Sequence, residues 1–205
     1  MSDTARTFDM GRRGFLGLAA AGVALAAVPA RAALPLVVDP RLMTRALTAL
    51  QRHRGAVKDA GLIGIADYSR ASRERRFHLV DLVFGTTNSM LVAHGRGSDP
   101  AHSGWLQRFS NDDGSYASCD GAFVTGAEYV GKHGRSLRLQ GLDPSNCNAL
   151  ERAIVVHTAP YVTEAMARDL GKIGRSQGCF TVTAETLDQV LMRLGGGRFL
   201  YADKI

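Results

Sequence analysis

From Leu62 onward the apolar residues come in short runs broken by polar turns, and this spacing limits the fold more than any other feature of the chain. Residues 62–66, 77–84 and 89–93 are rich in Ile, Val, Leu and Phe, and 122–125, 136–140, 153–156 and 199–201 are further strand candidates. Short runs bounded by Gly, Asn, Asp and Ser read as strands of antiparallel sheet. Helices are expected in three places. Asp39-Pro40 opens the first, with aspartate as N-cap and proline at the first helical position. Leu42, Met43, Ala46, Leu47 and Leu50 then mark one face of it to about Arg54. The second covers 162–170. The third covers 184–194, where Leu187, Val190, Leu191 and Leu194 recur at helical spacing behind Thr183. The expected class is mainly β or α+β, an antiparallel sandwich with helices at its edges, with no internal repeat.

The N-terminus reads differently. Arg12-Arg13-Gly14-Phe15-Leu16 is a twin-arginine pattern, followed by an Ala, Gly, Leu and Val stretch and then Ala30-Arg31-Ala32. Charged region, apolar core and small-x-small site are the parts of an export signal, with cleavage expected after Ala32. The apolar stretch of residues 14–29 is shorter than the roughly 20 residues that span a bilayer. Residues 1–32 are therefore expected to be the signal, 33–60 an N-terminal helical segment and 61–205 the main domain. Removing the signal's four arginines and two aspartates from the chain's 25 basic and 19 acidic residues leaves a net charge of +4. This suits an anionic surrounding such as a cell wall, or simple solubility. Nothing resembles the interleaved aromatic and basic residues of a single-strand nucleic-acid binder.

An exported chain meets an oxidising compartment, and three cysteines are an odd number. Cys119 and Cys147 are the candidate disulfide, with Cys179 left free; all three free is the alternative. No metal site is expected, because neither C-x-x-C nor H-x-x-x-H spacing occurs. No cofactor is expected either. The run from Ser69 to Arg76 reads as a solvated charged turn. The polar, glycine-rich region 94–126 is too long for an idle connection and reads as the wall of a substrate groove. Its His94–Ser98 portion lacks the residues of a phosphate-binding loop.

Cys179 stands in the polar turn Gly174-Arg175-Ser176-Gln177-Gly178-Cys179-Phe180, directly after a glycine that would let a substrate backbone approach closely. His157 ends the apolar run 153–156, where a strand would deliver it to a sheet edge. The two lie 22 residues apart, so they meet only through tertiary folding, as catalytic cysteines and histidines generally do. A thiol redox protein is disfavoured by the lack of a nearby resolving cysteine.

His157 followed by a helix and then Ser176-Gln177-Gly178-Cys179 resembles the L,D-transpeptidase catalytic domain, in its murein subfamily with a G-R-S-x-G-C ending. The segments 93–98, 109–111, 129–134 and 152–157 resemble that subfamily too. The resemblance implies that Cys179 is the nucleophile and His157 its base. Gly178 and Cys179 would offer backbone N–H groups to the oxyanion, and Ser176 would support the turn. Arg175, His94, His133 and Gln177 become candidate substrate contacts, with Arg175 as the carboxylate binder.

The implied substrates are peptidoglycan stem peptides, cut between diaminopimelate and D-alanine and joined to another amine. Carbapenem-type inhibitors are expected to react, in a periplasmic or envelope location, with neither nucleic acid nor an integral membrane partner. One departure stands out: where the commonest family motif has arginine two positions after the cysteine, this chain has Thr181. Thr158 and Ala159 also follow His157 where many members carry glycine first. An L,D-carboxypeptidase or hydrolase, and a non-catalytic wall-binding module, are the alternative functions.

Overall fold

The computed structural model describes residues 37–205; the twin-arginine stretch and its expected cleavage point lie outside the described residues. Eight strands form one sheet: β1 (Asp59–Asp67), β2 (Phe77–Asp81), β3 (Thr86–Met90), β4 (Gly121–Gly131), β5 (Gly134–Gly141), β6 (Val155–Thr158), β7 (Phe180–Val182) and β8 (Arg198–Asp203). Their order is β3-β2-β1-β8-β4-β5-β6-β7. β1–β2, β2–β3, β4–β5 and β5–β6 pair antiparallel, as the short runs predict, and β4 also pairs antiparallel with the distant β8. Two pairings are parallel: β1 with β8, and β6 with β7. Each of those joins strands far apart in sequence, which no local turn signal reveals.

The sheet comes almost full circle. Beyond β3 the chain crosses to the opposite edge, where Ala93 N–H donates to Thr181 O at 2.9 Å and Ser176 N–H donates to His94 O at 2.9 Å. Arg96 N–H then donates to Ser176 O at 2.8 Å. This seam fixes the loop 93–98 beside the turn that carries Cys179.

Alternation along the strands fills two apolar layers. Ile63 and Ile65 of β1 and Phe199 and Tyr201 of β8 face the helix α1 (Pro40–Arg52), whose Leu42, Ala46, Ala49 and Leu50 are buried against them. The intervening Leu62, Ala66, Leu200 and Ala202 face the larger core, where Phe77, Phe123 and Phe180 cluster with Leu187, Val190 and Leu191 of helix α3 (Ala184–Arg193). The Asp39 carboxylate accepts Arg41 N–H at 2.8 Å, the expected N-cap. A short helix α2 (Glu164–Asp169) is capped by Thr163 and packs Ala167 with Leu91, Ala93, Val162 and Ile173.

Three expectations change. The charged run 69–76 is a turn, but Arg76 at its end is fully buried and not solvated. Its guanidinium donates to Val92 O and Arg70 O, which makes burial of the charge tolerable. Phe180, expected to close the polar turn 174–180, instead opens β7. No Cys119–Cys147 bridge is formed: all three cysteines are free, Cys119 in the core and Cys147 at the surface, its Sγ 3.2 Å from Asn111 Nδ2.

Candidate active site

Parallel pairing of β6 with β7 builds the site. The register sets Val156 against Phe180 and His157 against Thr181. Cys179, one residue before β7, and His157 therefore reach the same cleft of about 490 Å³. The long sequence gap is bridged by α2 and the loop after it.

The turn before Cys179 is held by Ser176. Its Oγ accepts Gly178 N–H at 3.1 Å and donates to Cys179 O at 2.8 Å. Gly178 has φ +111°, and a Cβ there would lie 2.6 Å from Ala117 O and 2.7 Å from Ile154 Cδ1. Glycine is required by the turn's own conformation and packing; the missing side chain faces protein, not substrate. Gly178 N–H is also committed to Ser176, so of the two amides expected to hold the oxyanion only that of Cys179 is free of a partner among the described residues.

Cys179 is half-buried, with Sγ 3.6 Å from Ala153 O. Desolvation raises its pKa, while the Val155 N–H and the Lys132 and Arg152 charges pull the other way. His157 is 2% exposed. Burial lowers its pKa, opposed by its bond to Thr158 O and reinforced by His133 and Lys132. Both shifts favour the uncharged forms, thiol and neutral imidazole.

The ring's bonds fix its tautomer. Nδ1 lies 2.8 Å from Thr158 O, which can only accept, so Nδ1 carries the hydrogen. Nε2 is then the basic nitrogen, and it lies 3.2 Å from Thr181 Oγ1. No hydrogen bond joins the sulfur to the ring in this structure, and catalytic bonds commonly tighten only when substrate arrives. His133, at the β4–β5 turn, stacks on His157 with centroids 4.3 Å apart.

The other expected contacts divide. Arg175 and Gln177 line the cleft, and Arg175 Nη1 is anchored on the carbonyls of Asp99 and Pro100. His94 does not reach the cleft: at 1% exposure it lies beneath the seam, its Nδ1 accepting from Arg76 Nη2 at 2.8 Å and its Nε2–H donating to Asp99 Oδ2 at 3.3 Å. The closing of the sheet at 93–98 turns that side chain inward.

Sequence reasoning missed Arg96, Lys132, Arg152 and Tyr161 in the lining. Lys132 and Arg152 lie within segments already singled out beside His133 and His157, where charge alone gave a signal; Tyr161 offered none. Arg152 holds the groove wall through Ser110 O and Ala117 O, and Arg96 stacks on Tyr116 at 4.0 Å. With Asp113 as the one carboxylate in the lining, four cations make this cleft a setting for anionic ligands.

A mainly β domain that presents a histidine from β6 and a cysteine just before the parallel β7 to a cationic cleft is suited to cysteine acyl transfer. The comparisons give the family. The sequence pattern of the L,D-transpeptidase catalytic domain matches residues 36–202, and the chain belongs to that family. No curated protein sequence matches it. Among solved structures, it is similar to an L,D-transpeptidase from Mycobacterium smegmatis, with 13% identity and a TM-score of 0.44 over 70% of this chain and 59% of that one. It is likewise similar to L,D-transpeptidase 3 from Mycobacterium tuberculosis in complex with a faropenem-derived adduct, with 14% identity and a TM-score of 0.46 over 70% and 60%. The helical cell shape determining protein Pgp2 from Campylobacter jejuni is similar at 11% identity and a TM-score of 0.43 over 82% and 57%. The matched part is thus under two thirds of each of these three chains.

Proposed function

We propose that this chain is an exported cysteine acyltransferase of peptidoglycan, with Cys179 as nucleophile and His157 as general base. The observation that carries the reading is the β6–β7 register, which brings both residues to one cationic cleft. Family membership supports the substrate class. The twin-arginine pattern supports export to the periplasm or envelope.

The chemistry follows from the uncharged resting pair. His157 Nε2 takes the thiol proton as Cys179 Sγ attacks the carbonyl of diaminopimelate in a stem tetrapeptide. The oxyanion forms near Cys179 N–H. Collapse breaks the C–N bond, and the proton on Nε2 passes to the departing D-alanine amine. The thioester is then attacked by the amine of a second stem, whose proton returns through His157 to sulfur, giving a 3-3 cross-link. A carbapenem would acylate the same sulfur by opening its lactam ring. Arg175, Gln177 and His133 are assigned to substrate contact, with Ser176 and Gly178 holding the turn.

Incubating the protein with disaccharide-tetrapeptide and weighing the products tests this reading. A cross-linked dimer with loss of D-alanine is expected. Free tripeptide alone would convert the assignment to an L,D-carboxypeptidase, and binding without any product would leave a wall-binding module.

A further inference from the structure

Thr181 is the position at which the sequence departs from the commonest family motif, and the structure gives it a partner. Its side chain is fully buried, and Oγ1 lies 3.2 Å from His157 Nε2 and 3.4 Å from Tyr161 Oη. Because Nδ1 holds the ring hydrogen, the hydroxyl of Thr181 donates to Nε2. Its single hydrogen is then in use, so Tyr161 O–H donates to Thr181 Oγ1.

This row of three groups has a second consistent arrangement. Nε2 has one lone pair, and it cannot receive a proton while Thr181 occupies it. Turning about its Cβ–Oγ1 bond, the Thr181 hydroxyl can donate to Tyr161 Oη and leave Oγ1 free to accept. Once Nε2 is protonated, Nε2–H donates to that same oxygen. A hydroxyl serves both states because it donates and accepts; a guanidinium at this position could only donate and would oppose the imidazolium.

We propose that Thr181, backed by Tyr161, is a positioning residue for His157, which holds Nε2 in place at rest and accepts its hydrogen after proton transfer. The proposal rests on His157 acting as the base. It also reassigns the position: Thr181 replaces no carboxylate contact, since it faces the base and is shut off from solvent.

The test compares Thr181→Val, nearly the same size without the hydroxyl, with Thr181→Ser, which restores it. For acylation of the full chain by a stem tetrapeptide, Thr181→Val is expected to lower the rate constant about ten- to a hundredfold with KM unchanged. Thr181→Ser should recover most of it, and Tyr161→Phe should lose less than Thr181→Val. In the nitrogen-15 spectrum of the ring, Thr181→Val should move the Nε2 resonance towards that of an unbonded ring nitrogen. An unmoved Nε2 resonance, or a serine variant as slow as the valine one, would overturn the proposal. If the wild-type chain acylates nothing, the acyltransferase reading fails, while the Nε2 resonance still decides the role of Thr181.

Discussion

Gly178 is held to glycine by the turn before Cys179. Alanine there would occupy φ +111° with its Cβ 2.6 Å from a backbone oxygen. Gly178→Ala should cost about 1–3 kcal/mol from the backbone conformation alone and abolish acylation, as thermal melting and a mass assay would report together. Beside it, pH dependence follows from His157. A general base works only when neutral, and burial lowers the pKa of His157, the proposed base, below its ordinary value of 6.5. Acylation should therefore persist as pH falls below 6.5 and disappear as His157 gains its proton. Lys132 contributes to the lowering, so Lys132→Met should let His157 take up its proton at higher pH and move the acid limb of the rate profile upward. An unmoved limb would show that some other group controls it.

Among the elements, the pairing that carries the site was the least legible. The apolar runs placed most strands, because alternation and turn residues are local signals. Residues 180–182 did not stand out, because a three-residue strand paired in parallel to a distant partner depends on contacts that only the folded chain makes. His94 misled for the same reason: its glycine-flanked loop looked exposed, yet the sheet's closing seam buries it with Arg76 and Asp99. Cys179 and His157, by contrast, stand out in the sequence, since a cysteine after Ser-x-Gly and a histidine after an apolar run are both local patterns, and the fold brings the two to one cleft. The seam has its own prediction. Arg76→Ala would remove one charge of the Arg76–His94–Asp99 cluster, leaving buried His94 Nδ1 without its donor and three hydrogen bonds to the Val92 and Arg70 carbonyls unmade. Losing one partner of such a buried charge cluster typically costs about 3–5 kcal/mol, which denaturant unfolding would measure.

At the scale of the whole molecule, α1 belongs to the same packed body as the strands: its buried face covers β1 and β8. The change of period from helix to strand near residue 61 thus falls within one shared apolar layer. Leu42→Ala should destabilise the protein by about 2–5 kcal/mol, although Leu42 lies in a layer separate from the catalytic cleft. Acylation of Cys179 is decided by intact-mass spectrometry after exposure to a stem tetrapeptide. An adduct equal to the donor less D-alanine is expected on the peptide containing Cys179, absent from Cys179→Ala and formed about 10²–10⁴-fold more slowly by His157→Ala. An adduct that survives Cys179→Ala, or forms at the wild-type rate without His157, would contradict the roles proposed for these two residues.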